Sequence, residues 1–164
     1  MSAGHVVIGV GNALRGDDGV GLAVASALRG RVPGGVAVVP CEQEPSRLLD
    51  AWQGARAAIV VDAAASGSEP GHVHRFDASE TAVPAGVFRS STHAFGVGDA
   101  IELARALGRL PRHVVVYGVE GGDFAAGEGL TTQVQASVEK VAGSVLEDLE
   151  RLTREEAACT SERS

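Results

Sequence analysis

His5–Leu28 reads HVVIGVGNALRGDDGVGLAVASAL, and this stretch decides the fold. Its opening, His5–Val10, is apolar and rich in β-branched residues without polar alternation, as expected of a strand covered on both faces of a parallel sheet. A glycine-rich loop follows. Gly19–Leu28 then sets Val20, Ala23, Val24 and Ala27 on one helical face. Further strands are expected at Val36–Pro40, Ala58–Val61 and His113–Val119, with His72–Phe76 as an edge or antiparallel addition. Helical patterns fall at Arg47–Trp52, Gly98–Leu107 and Thr132–Leu152, the last with Val134, Val138, Val141, Val145, Leu149 and Leu152 at steps of three or four. Strand alternating with helix predicts an α/β sandwich. No repeat or linker divides the chain, so one domain is expected over residues 1–152. Residues 153–164 are polar and are expected to form a flexible tail.

The composition narrows the function. Among 164 residues, 45% are hydrophobic, and 14 basic against 21 acidic side chains give a net charge of −7. An acidic balance argues against a nucleic-acid partner, which needs a basic face to neutralise phosphates. No apolar run approaches the roughly 20 residues of a membrane span. The first residues carry neither a basic region nor a long apolar run, so no secretory signal is expected. Cys41 and Cys159 make neither a disulfide framework nor zinc spacing. These readings predict a soluble cytoplasmic domain. Glycine, at 22 residues, is about twice its usual share, and nine of the 22 fall within the first 35 positions.

The loop Gly9–Gly21 invites a dinucleotide-binding reading, with Glu42 past the second strand imitating a ribose-binding acid. That fingerprint needs a glycine where Leu14 stands. It also needs a helix that opens at once, whereas here the loop runs on and carries Asp17 and Asp18, which would repel a phosphate. One of the two acids is expected to cap the helix at Gly19, and Asp17 is the better fit to that role. Asp18 is then left bare by Gly19 and Gly21, in a loop beyond the carboxyl end of a strand. Such loops form the ligand crevice of open α/β sheets.

Asp62 closes the third apolar run, Ile59-Val60-Val61-Asp62, where a carboxylate is costly unless paired, hydrogen-bonded or bound to a cation. His93 lies in Ser90–Gly98, ahead of a helix, where serine and threonine suit a cap and histidine does not. Asp18, Asp62 and His93 are expected at one end of the sheet. Two carboxylates and an imidazole suit a borderline divalent metal with coordination positions left open. The remaining histidines offer less. His72 and His74 share a strand face, and His5 and His113 start strands; all four are expected to face solvent. The zinc-protease helix motif and the Gly-x-Ser-x-Gly elbow are both missing. Cys41 is expected to be a small buried residue at a strand end rather than a nucleophile.

Three segments in order, GVGNALRGDDGVG (Gly9–Gly21), VVDAAASG (Val60–Gly67) and STHAFGVGDAIELARALG (Ser91–Gly108), resemble those of the hydrogenase maturation endopeptidases. These are nickel-dependent proteases that finish the large subunit of nickel–iron hydrogenases. The strand ending at Tyr117–Glu120 and the closing helix are also similar, so the resemblance covers roughly His5 to Leu152. It implies a three-layer α/β/α sandwich with a mostly parallel five-stranded sheet and one antiparallel strand. Residue by residue, it implies an acid–Asp–His trio of Asp18, Asp62 and His93 as both metal ligands and catalytic groups.

Further implications concern the substrate, a large-subunit precursor with nickel already in its cysteine site, from which the C-terminal extension is cut. Nickel, presented by the precursor, would serve recognition and polarise the scissile carbonyl or a bound water. His93 must be neutral to ligate. Asp17 is a weak candidate for a general base. The chain departs from relatives that have a Gly-Gly-Thr stretch where it has Cys41-Glu42-Gln43-Glu44-Pro45. It also has Gly121 and Gly122 in place of a proline-bearing loop, suggesting a looser segment. Two alternatives stay open: a protein that docks on the nickel site without cutting, and a dinucleotide-binding enzyme.

Overall fold

A computed structural model describes residues 4–42, 44–88 and 95–163. The strands are β1 (His5–Gly11), β2 (Val36–Glu42), β3 (Ala57–Ala64), β4 (Val73–Asp77) and β5 (His113–Glu120). The helices are α1 (Val20–Leu28), α2 (Leu48–Ala51), α3 (Val97–Ala106) and α4 (Thr132–Arg163). The five strands form one sheet in the order β2-β1-β3-β5-β4. The first four of these run parallel, and β4 joins the β5 edge antiparallel. This is the expected mixed sheet between two helical layers.

Period-two alternation divides the core. Val7, Ile59, Val61, Val115 and Tyr117 pack with α1 and α4 on one face. Val6, Ile8, Ala58, Val60 and Val116 pack with α2 and α3 on the other. Every residue of β1 and β3 is buried, which is why neither strand shows polar alternation.

Two glycines set how closely α1 approaches the sheet. A Cβ on Gly9 would stand 2.2 Å from the Gly21 carbonyl oxygen. One on Gly21 would stand 2.3 Å from the carbonyl oxygens of both Val10 and Val61. Part of the glycine excess is therefore close helix–sheet packing beside the loop that carries Asp18.

The strand order creates a switch point. From β1 the chain crosses through α1 to β2 on one side, then returns through α2 to β3 on the other. Parallel crossovers are right-handed, so opposite directions of travel put α1 and α2 on opposite faces. The carboxyl ends of β1 and β3 consequently open into a crevice between diverging connections.

One element differs from expectation. The closing helix does not stop at Leu152 but continues to Arg163, so residues 153–163 are helical rather than a flexible polar tail. Contacts with the sheet's far end accompany the extension: Glu156 Oε1 lies 3.2 Å from His5 Nε2, and Glu156 Oε2 lies 3.9 Å from Arg56. His5, expected to face solvent, is only 5% exposed because this added turn covers it.

Candidate active site at the carboxyl ends of β1 and β3

Asp62 stands two residues before the end of β3, 7% exposed and in register with Gly118 of β5. It continues the Ala58–Val60 alternation, which faces α2 and α3. Its Oδ1 accepts a hydrogen bond of 2.8 Å from the backbone N–H of Ala63. Asp18 lies half-buried in a one-turn 3-10 segment, Gly16–Gly19, that touches β3. That loop folds back tightly on its strand, and a Cβ on Gly11 would be 2.0 Å from the Asp18 carbonyl oxygen. Asp18 and Asp62 thus both lie on segments near the carboxyl ends of β1 and β3. His93 lies outside the described residues. Carboxylates are the donor type a divalent cation takes, but among the described residues no three or more potential ligands come together.

Asp17 behaves differently from expectation. The α1 N-cap is Gly19, and it makes no side-chain capping bond. Asp17 is instead fully buried and turned toward the loop between β5 and α4. Its Oδ2 accepts from Gly122 N at 2.8 Å and Asp123 N at 3.0 Å, and its Oδ1 accepts from Thr131 N at 2.7 Å. The Thr131 hydroxyl also donates to it, at 2.9 Å. Burial alone pushes this carboxyl up, but the N–H groups of Thr131, Gly122 and Asp123 and the hydroxyl outweigh it and hold the pKa below the usual aspartate value. A saturated, ionised and inaccessible carboxylate is no general base. The same bonds pin Gly122, and Gly121 N donates to the Ala64 carbonyl, so the loop expected to be loose is held at Gly121, Gly122, Asp123 and Thr131.

Backbone contacts complete the clamp. Gly16 N donates to Gly127 O, Gly127 N donates to Leu14 O, and Asp17 N donates to Asp123 O. The result is a rigid rim with Leu14, 57% exposed, at its outer edge. On this geometry α1 opens only at Val20, directly after two carboxylates whose charge disfavours a pyrophosphate at that helix start. A pyrophosphate cradle is therefore not built here.

On the other side of the crevice stands Glu120, 2% exposed, at the end of β5. It accepts from Ser66 N, Gly67 N and the Ser66 hydroxyl, and His74 Nε2 lies 3.2 Å from its Oε2. Burial raises this carboxyl, while the Ser66 and Gly67 donors and His74 lower it more, for a net pKa below the usual glutamate value. His74 is therefore packed against an acid rather than solvated; His72 is exposed, as expected. Asp17 and Glu120 were not assigned these supporting roles from sequence. The available signal for Glu120 was an acid ending an otherwise apolar strand.

Cys41 is 3% exposed and its Sγ donates to the Glu44 carbonyl at 3.3 Å. Burial pushes its thiol pKa up, which keeps it protonated and unsuited to nucleophilic attack. Glu42 is exposed at the end of β2, in register with Gly11.

Residues 23–148 match the family model for hydrogenase maturation protease (HycI). The hydrogenase expression/formation protein HupD of Bradyrhizobium diazoefficiens is 31% identical over 121 residues, 73% of this chain and 63% of that protein. The HoxM protein of Azotobacter vinelandii is 31% identical over 153 residues, 91% of this chain and 74% of that protein. The chain therefore spans somewhat under two thirds of the HupD relative's length. Among solved structures, the hydrogenase maturating endopeptidase HybD from Escherichia coli superposes with a TM-score of 0.78 at 28% identity, covering 92% of this chain and 93% of that one.

Proposed function

Because this chain belongs to the hydrogenase maturation protease family, we propose that it is the endopeptidase that removes the C-terminal extension of a nickel-loaded nickel–iron hydrogenase large-subunit precursor. One observation carries the reading. Asp62 is nearly buried two residues before the carboxyl end of β3, and the loop that carries Asp18 packs against that strand near the sheet's switch point.

In this reading Asp18, Asp62 and His93 together engage the nickel that the precursor itself carries. That nickel would supply recognition and would polarise the scissile carbonyl or a bound water. The chain's own residues do the rest. Asp62 accepts from the Ala63 N–H, and its position is set by β3. Asp18 is held at the end of a loop that Asp17 locks to the β5–α4 connection. His93 contributes a neutral imidazole. The crevice itself orients the precursor's cleavage segment, so that positioning supplies much of the rate. The chain is assigned to the cytoplasm: Cys41 and Cys159 are both free thiols, which suits a reducing compartment. None of the helices among the described residues is long and apolar enough to cross a membrane.

Mixing the protein with nickel-loaded precursor and following the intact mass of the large subunit tests the proposal. A shortened large subunit together with a released C-terminal peptide is expected. Stable co-elution with the precursor and an unchanged mass would instead identify a protein that docks on the nickel site without cutting.

A further inference from the structure

We propose that Glu120 is a positioning residue of the proteolytic site, an inference that rests on the function proposed above. At 2% exposure it cannot touch a substrate. What it touches is the turn that follows Asp62. Its Oε1 accepts from Ser66 N at 2.7 Å and from Gly67 N at 2.8 Å. Its Oε2 accepts from the Ser66 hydroxyl at 2.9 Å. Ser66 is four residues beyond Asp62, and the backbone between them is bonded on both sides. Gly121 N, next to Glu120, donates to the Ala64 carbonyl at 3.0 Å, and Ala65 N donates to the Val87 carbonyl at 2.9 Å.

These contacts hold the turn just beyond the Ala64–Glu120 pair, two positions past the level where Asp62 stands opposite Gly118. Packing reinforces the Gly118 level. The ring of Phe88 lies so close to Gly118 that a Cβ there would stand 3.1 Å from it. Without Glu120, the Ser66 and Gly67 amides lose their acceptor, and the turn keeps only the main-chain bonds at Ala64 and Ala65. Asp62 would then sit two residues before a more weakly held turn. A displacement of about 1 Å at a reacting group costs on the order of 100-fold in rate. An apolar side chain here would leave the Ser66 and Gly67 N–H groups without an acceptor, so the acid also supports the fold, and cleavage rates are read beside Tm.

The test compares Glu120→Ala, Glu120→Asp and Glu120→Gln with the unaltered chain on nickel-loaded precursor. E120A is expected to lose about 10–100-fold in kcat with KM changed less than about threefold. E120Q keeps one oxygen for both amides and is expected to stay within about fivefold of the unaltered chain. E120D, which keeps the charge but draws the carboxylate back by one methylene, is expected to fall between them; it decides the matter if E120A does not fold. E120D and E120A both within threefold of the unaltered chain, or a loss confined to KM, would overturn the proposal. So would an E120Q as slow as E120A. Amide exchange provides a readout independent of cleavage. Ser66 and Gly67 should exchange at least about tenfold faster in E120A, or in E120D, than in the unaltered chain, while β1 stays protected. Unchanged protection would overturn the positioning role. If the unaltered chain leaves the precursor uncut, the proposed function fails, and the exchange measurement still decides whether Glu120 anchors the turn.

Discussion

Replacing Asp17 with alanine should destabilise the protein by about 3–5 kcal/mol. Asp17 is fully buried, and its loss orphans the N–H groups of Gly122, Asp123 and Thr131 together with the Thr131 hydroxyl. Each orphaned buried donor costs about 1–3 kcal/mol. The simple sum overshoots, because the loop carrying Asp123 borders solvent and admits water to some of these groups. The range typical of breaking a buried charged network, about 3–5 kcal/mol, is the better figure. For a chain of this size that corresponds to a fall in Tm of about 6–20 °C. Asp17→Asn should also destabilise, since either orientation of its amide turns an NH2 toward a backbone N–H.

Sign follows from the depressed pKa. The contribution of Asp17 is complete above the ordinary aspartate value of 3.8 and is lost as pH falls through its lower folded value. Denaturant unfolding of the unaltered chain and D17N, followed by circular dichroism, should show a stability difference that is constant from about pH 5 to 8 and narrows below about 3.8. A D17A protein within about 1 kcal/mol of the unaltered chain would refute the clamp, as would a difference that widens in acid.

Two further substitutions follow from the packing. Asp148 of α4, 7% exposed, accepts from Arg75 at 3.1 and 2.8 Å and from the Tyr117 hydroxyl, so Asp148→Ala should cost about 3–5 kcal/mol by thermal denaturation. Tyr117→Phe, which leaves the Arg75 pair intact, should cost about 1 kcal/mol, and equal costs for the two variants would contradict this assignment. Gly21→Ala forces a Cβ to within 2.3 Å of two carbonyl oxygens and should push α1 off the sheet, costing about 3 kcal/mol or abolishing folding. A G21A protein as stable as the unaltered chain would mean that the helix does not approach so closely.

Most of the fold was legible because its strands are buried on both faces. HVVIGV, AIVV and HVVVYGV have no polar alternation to confuse them with edge strands, and β4, with its alternating His74, Arg75 and Phe76, read correctly as an edge. The end of α4 was not legible. Past Leu152 the helix loses its apolar stripe, and it is Glu156, meeting His5 and Arg56 some 150 and 100 positions earlier, that gives the last turns a partner. Long-range ion pairs of this kind leave no periodic mark.

The bonding around the candidate site was less legible for a similar reason. Asp18 and Asp62 stood out as acids where local sequence is glycine-rich or apolar. Asp17 looked like a cap because the first turn of a helix is the usual destination for an acid beside it. Its real partners, Gly122, Asp123 and Thr131, are more than 100 residues away. Glu120 was hidden in the same manner, bonded to a turn 53 and 54 positions before it.

The central claim is that the crevice at the ends of β1 and β3 does the cutting. The most direct measurement is the rate at which Asp62→Ala and Asp18→Ala shorten nickel-loaded precursor, read by intact mass beside the unaltered chain, with Tm recorded for each. Both variants should be folded and should leave the precursor at full length. Cleavage by either at the rate of the unaltered chain would place the chemistry elsewhere.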